Sequence, residues 1–270
     1  MSFNFIPVKD NIVHIKRPDK PEVEVRLHRP RGAGPHPAIL NMHGGCWIYG
    51  DAALMETFSE LLADQLNALV FNVNYQKKPV MPFPYAAEEV CDVVRFIKEH
   101  ADELSVDAEK IAIGGFSAGA QIAASAAILL SDAGISLAAQ YLGYPCTDMT
   151  WAKASFPETI EAMFPDGDFT RREASPVLAE TSSLKALAPA IFILCGQDVL
   201  RDQGRAYAQK LIGAGVTVIS KEYPAAQHGF IEVNRPDYPA GDFRCTPEQE
   251  ALCRSAEQDL IRSLSALFAM

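Results

Sequence analysis

Two rhythms of apolar and polar residues run along this chain. The opening has a period of two. Segments 11–17 (NIVHIKR) and 23–28 (VEVRLH) are short, and the second puts Val23, Val25 and Leu27 on one face with charged residues on the other. That is the pattern of a half-exposed antiparallel edge. From about residue 36, continuous apolar runs alternate with helical patterns. Buried strands are predicted at 36–44, 69–75, 110–117, 137–145, 190–198 and 216–224. Between them lie helical stripes. One carries Met55, Phe58, Leu62 and Leu66, and another, within 85–104, carries Val90, Val93, Val94, Ile97 and Leu104. An Ala-rich helix is predicted over 118–132, another over 201–213, and a last one over 247–268 with Leu252, Leu260, Leu264, Leu267 and Phe268 inward. Strand–helix alternation of this kind builds a parallel sheet covered on both faces. The expected fold is therefore α/β, with about eight mostly parallel strands flanked by helices.

Two stretches break the alternation. Residues 146–186 separate two strands by far more than a usual connection, and they hold Trp151, Phe156, Met163 and Phe164 without a strand pattern. Residues 229–246 carry several Pro and Gly turn signals. With no internal repeat, low-complexity tract or linker, the expectation is one domain over 1–270 with a small cap insertion at 146–186.

Composition narrows the partners. Across 270 residues, 24 Lys and Arg stand against 34 Asp and Glu, a net charge of −10. This balance argues against nucleic acid or an anionic membrane as the main partner. No apolar run is long enough to span a bilayer. The start, MSFNFIPVKD, has neither a basic n-region nor an apolar core, so no secretory signal is read and a cytoplasmic location is expected. The six cysteines form no C-x-x-C pair, which removes zinc-ribbon and thioredoxin readings and favours free thiols.

Four motifs carry candidate chemistry. Gly115-Phe116-Ser117-Ala118-Gly119 falls between a predicted strand and a predicted helix. A serine on that tight turn is pushed out above the sheet, and the N–H of Ala118 faces the place where a carbonyl oxygen would become an oxyanion. The alternative is a Gly-rich turn that merely tightens a strand–helix junction. His43-Gly44-Gly45-Cys46-Trp47 follows the first long buried strand, and its glycines allow a loop whose N–H groups point inward, either as an oxyanion hole or as an ordinary turn. Asp198, in GQDVLRD, ends the most apolar strand, on the side where α/β sheets hold their ligands. It is better placed than Asp202, although an N-cap would also explain it. His228, in HGF, follows the last strand. The order Ser117, Asp198, His228 is nucleophile, acid, base. Of the other histidines, His14, His28 and His36 read as surface residues, His100 sits late in a helix, and His43 would orient the glycine loop.

With these motifs in order, the chain resembles the hormone-sensitive-lipase-like branch of the α/β hydrolase esterases. HGGCW, YQKKPVMPFPYAAEEV, GGFSAG, YP, SPVLAE, GQDVLRDQGRAYAQKL and HGF occur in family order, over about residues 23–270. The stretch GQDVLRDQGRAYAQKLIGAGV is the most specific. The resemblance implies that Ser117, Asp198 and His228 are catalytic. It also implies that the oxyanion donors are backbone N–H groups of Gly44, Gly45 or Cys46, with Gly45 and Cys46 favoured, plus Ala118. The chain departs from the family at Cys46, where a third glycine is usual, and in its short N-terminal cap. HGG-x-W also occurs in formamidase-like and acetyl-esterase-like hydrolases.

The implied reaction is hydrolysis of a small-molecule ester through an acyl-enzyme, with no metal or organic cofactor called for. Short acyl groups, acetyl to butyryl, are expected because the small cap limits the apolar wall available to a long tail. Trp47, Phe116, Trp151 and Phe230 are candidate substrate-binding residues, and plain core is their alternative reading. An arylformamidase, another amidase or a sugar deacetylase would use the same triad. A non-catalytic binding protein on the same fold would have broken it. An exposed edge strand or helix could support a homodimer, though no feature demands one.

Overall fold

The structure, a computed structural model, describes residues 11–77 and 81–270. The absence of a leader read from MSFNFIPVKD, and the KPV within YQKKPVMPFPYAAEEV, lie outside the described residues. Eight strands form one sheet: β1 (Ile12–Arg17), β2 (Lys20–His28), β3 (His36–Met42), β4 (Leu69–Val73), β5 (Val106–Phe116), β6 (Ala139–Gly143), β7 (Ala190–Gln197) and β8 (Val218–Gln227). Their order across the sheet is β1-β2-β4-β3-β5-β6-β7-β8. The β1–β2 and β2–β4 pairs are antiparallel and every other pair is parallel. The period of two in the opening segment is thus used as expected, with Val23, Val25 and Leu27 turned into the core.

The strands β4 and β6 are buried at every position because helices cover both faces of the sheet. On one face, Leu40, Phe71, Ile113, Leu142 and Phe192 pack beneath α2 (Tyr85–Glu99), α4 (Ala118–Asp132) and α7 (Arg201–Gly213). On the other, Ile39, Val70, Ala112, Phe116, Tyr141 and Ile193 meet α1 (Glu56–Leu66) and α9 (Pro247–Phe268). Alternate residues of one strand feed two separate cores.

Three predicted helices, 118–132, 201–213 and 247–268, have the predicted bounds. The helix predicted over 85–104 is two. His100 leaves helical torsions (φ −119°, ψ 23°), so α2 ends at Glu99 and α3 (Ala101–Leu104) starts afresh. In α9, Leu252 is only half-buried, and Cys253 and Ala256 complete the inward stripe. His28 and His36 are not surface residues. His28 ends β2 with Nε2 3.3 Å from the Glu56 carboxylate, and His36 opens β3 with Nδ1 3.0 Å from the Asn67 carbonyl. Local sequence hides both because their burial comes from α1 and the turn after it.

Residues 146–186 form α5 (Met149–Ser155), α6 (Pro157–Met163) and two 3-10 turns, Pro176–Leu178 and Thr181–Leu184. Met149, Ala152, Ile160, Phe164 and Ala174 are buried in the same core as α2 and α4. The short helix α8 (Phe230–Val233) occupies part of the 229–246 stretch. No helix among the described residues is long and apolar enough to cross a membrane, and all six cysteines are free thiols.

Candidate active site

Ser117 sits on the turn from β5 into α4 with φ +52° and ψ −116°. A non-glycine residue pays for such torsions, and surrounding structure must hold it there. The holding contacts are visible. The Ser117 N–H donates to the Gly143 carbonyl at 2.9 Å, and the flanking glycines admit the neighbouring chain. A Cβ at Gly115 would lie 2.3 Å from the Met42 carbonyl oxygen; one at Gly119 would lie 2.3 Å from that oxygen and 2.4 Å from the His43 oxygen. The G-x-S-x-G spacing is therefore a steric requirement of β5 and α4 closing on the end of β3.

The structure brings Ser117, His228 and Asp198 together. His228 Nε2 is 2.9 Å from Ser117 Oγ, and His228 Nδ1 is 2.7 Å from Asp198 Oδ2. The tautomer that satisfies both contacts carries its proton on Nδ1, donates it to the carboxylate and accepts the serine hydroxyl at Nε2. The Asp198 side chain is 1% exposed, and its Oδ1 accepts the Leu200 N–H at 2.9 Å. Asp202, by contrast, pairs with Arg201 and Arg205 at the surface. Behind the histidine, Arg244 Nη1 donates to the His228 carbonyl at 3.0 Å and is itself held by Asp242.

The glycine loop begins with His43, whose ring stacks on Tyr75 with centroids 4.5 Å apart. Burial lowers the His43 pKa to about 4, so the imidazole is neutral at neutral pH. Its Nδ1 is 2.5 Å from the Gly44 carbonyl oxygen. Three left-handed residues follow, Gly45 (φ +127°), Cys46 (φ +51°) and Trp47 (φ +64°). Gly45 has no substitute, since a Cβ there would lie 2.2 Å from the Tyr49 carbonyl oxygen. Among the four candidate oxyanion donors the structure removes one. The Gly44 N–H already donates to Glu232 Oε1 at 2.7 Å. The N–H groups of Gly45, Cys46 and Ala118 have no protein acceptor among the described residues. The Cys46 thiol is half-buried; burial and the nearby Glu232 charge raise its pKa and keep it protonated.

Of the aromatic candidates, Trp47 lines a cavity with Tyr75, Phe83, Gln121, Ile122 and Met163. Its indole N–H donates to Gln121 Oε1 at 3.0 Å, one turn beyond Ser117. Phe116 and Phe230 are not pocket residues. Phe116 is wholly buried between Phe58, Tyr141 and Tyr144, and Phe230 between Tyr144 and Tyr223. Each occupies the core on the α1/α9 face, the side to which its position in chain order turns it. Trp151 is half-buried on α5 and packs edge-on against Phe156, and it is not among the residues that line that cavity.

Sequence reasoning missed Glu232, Tyr144, Gln121 and Arg244. The one available signal was the acid in FIEV, a carboxylate inside an otherwise apolar quartet four residues after His228. A metal-like grouping also exists elsewhere: ligand atoms of His28, Glu56 and Glu60 lie within 4.8 Å of one another. Arg26 Nη1, 2.9 Å from Glu56, already neutralises part of it.

Comparison with known proteins follows the same lines. Residues 39–232 match the family described as the alpha/beta hydrolase fold. An AB hydrolase superfamily protein of Schizosaccharomyces pombe is 32% identical over 240 residues, covering 80% of this chain and 70% of that protein. The ethyl acetate hydrolase of Pseudomonas putida is 31% identical over 230 residues, covering 77% of this chain and 71% of that one. The esterase of Pyrobaculum calidifontis superposes with a TM-score of 0.78 at 29% identity, covering 95% of this chain and 85% of its own.

Proposed function

The chain belongs to the hormone-sensitive-lipase-like α/β hydrolases, and on that footing we propose that it is a serine carboxylesterase for short-chain acyl esters. The observation that carries the reading is the unbroken line from Ser117 Oγ through His228 to Asp198, at 2.9 and 2.7 Å. His228 Nε2 takes the Ser117 proton as Oγ attacks the ester carbonyl. Asp198 holds the imidazole in the required tautomer and offsets the positive charge it gains. The N–H groups of Gly45, Cys46 and Ala118 receive the oxyanion, a contribution of about 10²–10³ in turnover per donor. His228 then passes its proton to the departing alcohol. A water, deprotonated by the same nitrogen, releases the acid and restores Ser117.

The preference for acetyl to butyryl groups rests on the 146–186 segment, which we read as a small cap. Its apolar side chains are spent in the core, and Met163 forms a wall of the cavity that Trp47 and Gln121 also line. A small-molecule ester is the partner, and the six free thiols favour the cytoplasm as the place of action.

The test is a panel of esters from acetate to decanoate, with one matched amide, run beside Ser117→Ala. Turnover should be highest at two to four acyl carbons and fall at least ~10⁴-fold in the variant. A fluorophosphonate should label wild type and not Ser117→Ala. A folded wild type that takes no label would overturn the reading. Turnover rising toward decanoate would overturn the chain-length part alone, and a faster amide would make the protein an amidase.

A further inference from the structure

Glu232 is a carboxylate for which the reaction above has no use. It lies on α8, four residues beyond His228, and the turn that leads into it is made by Gly229 at φ +82°. The residue is partly exposed, but its carboxylate lies deep among protein atoms, and desolvation there raises its pKa. Such a group is costly to retain unless it is fully bonded. Oε1 accepts the Gly44 N–H at 2.7 Å and Oε2 accepts the Tyr144 hydroxyl at 3.3 Å. Tyr144 in turn stands edge-on to the His228 ring, with centroids 5.1 Å apart.

The loop that this carboxylate grips is one that would not keep its shape unaided. Cys46 and Trp47 are consecutive non-glycine residues at positive φ, a conformation that L side chains resist and that surrounding contacts must hold. The loop is tied at its far end by Trp47 Nε1 to Gln121. At its near end the charge-assisted bond from the Gly44 N–H to Glu232 fixes the His43–Gly44 peptide, one unit before the peptide that carries the Gly45 N–H. With both peptides around Gly44 held, this one by Glu232 and the next by His43 Nδ1 on the Gly44 carbonyl, the Gly45 and Cys46 N–H groups have a fixed starting direction. The fit is close: a Cβ at Gly44 would lie 2.9 Å from both carboxylate oxygens.

We propose that Glu232 is the positioning residue of the oxyanion loop, holding Gly44 so that the Gly45 and Cys46 N–H groups face the reacting carbonyl. Because α8 starts where His228 ends, the same side chain registers the oxyanion loop against the base. The inference rests on the esterase reading.

Three variants test it on the full chain with a butyrate ester. Glu232→Gln keeps an oxygen acceptor for Gly44 and should hold kcat within about threefold of wild type. Glu232→Leu keeps the bulk and removes the acceptor. It should lower kcat about 10–100-fold with KM changed less than about threefold, short of the full effect of a deleted donor. Glu232→Asp keeps the charge but retracts it by one methylene, and should resemble Glu232→Leu; it carries the test if the leucine variant does not fold. A purely structural role would instead lower thermal stability and leave kcat per folded molecule unchanged. Wild-type kcat in folded Glu232→Leu or Glu232→Asp would overturn the proposal, as would Glu232→Gln falling as far as they do. Should wild type itself hydrolyse no ester and take no fluorophosphonate label, the esterase reading falls instead.

Discussion

At the scale of single residues, Cys46 shows how little of an oxyanion loop is side-chain chemistry. It is a non-glycine residue at positive φ in a glycine loop, yet the group that the proposed reaction asks of it is its backbone N–H. Its Cβ pays for φ +51°, and its thiol stays protonated. In Cys46→Gly, relief of that strain, about 1–2 kcal/mol, is largely offset by glycine's entropy cost of about 0.5–1 kcal/mol. Stability should therefore rise by no more than about 1.5 kcal/mol, and kcat should stay within about threefold of wild type, as denaturant unfolding and ester turnover would measure. A larger loss of kcat would mean that the sulfur itself is needed. The sequence announces Ser117, Asp198 and His228 because glycines and strand ends frame them. It does not announce that Gly44 is occupied, because its acceptor lies 188 positions away.

Elements were legible in proportion to how local their causes are. The last helix carries its own start signal. Thr246 accepts the Gln249 N–H, and Pro247 stands at the first turn. The break at His100 carries none, since the apolar stripe runs on to Leu104 and only the torsions of one residue interrupt it. Aromatic residues were the least legible. Periodicity says that Phe116 alternates with its neighbours, but which face of the sheet meets substrate is a property of the topology. Met163, at the end of α6, gives an element-scale expectation, because it is buried and walls the Trp47 cavity. Met163→Ala should move the best ester toward longer acyl chains by two or more carbons. It should also destabilise the fold by about 2–5 kcal/mol, the usual range for such a truncation. An unchanged chain-length profile in folded Met163→Ala would show that this cavity does not receive the acyl group.

For the molecule as a whole, the groups converge because the parallel strands share a direction. The His43 loop follows β3, Ser117 follows β5, Asp198 follows β7 and His228 follows β8, all at one edge of the sheet. The two cores beneath that edge also set how the fold answers to pH. Burial lowers the pKa of His43 to about 4 from 6.5, so between those values the unfolded chain binds the extra proton. Stability from this site is therefore lost as pH falls from 6.5 to 4. Burial raises Glu89 to about 7 from 4.5, against the Gln76 N–H and the nearby Arg17 that favour its charged form, so here the folded chain holds the extra proton. Stability from Glu89 is lost as pH rises from 4.5 to 7. Each effect is at most roughly 3–4 kcal/mol, and across their overlap the two slopes oppose each other. Relative to wild type, His43→Gln should gain stability as pH falls through 6.5 to 4, and Glu89→Gln should gain as pH rises through 4.5 to 7. Melting temperatures taken across pH 4–8 would check both, and parallel curves for variant and wild type would refute the assignment.

The contact of Gly115 and Gly119 with the carbonyls of Met42 and His43 has an implication for how such a protein diversifies. The turn that carries Ser117 and the glycine loop that starts at His43 begin from the same few atoms, so neither can drift alone by even one methyl group. On the proposed function, mutation explores new substrates where packing is forgiving, along the 146–186 segment and the rim of the Trp47 cavity. A lineage built on this joint is therefore free in what it recognises and almost fixed in the reaction it performs.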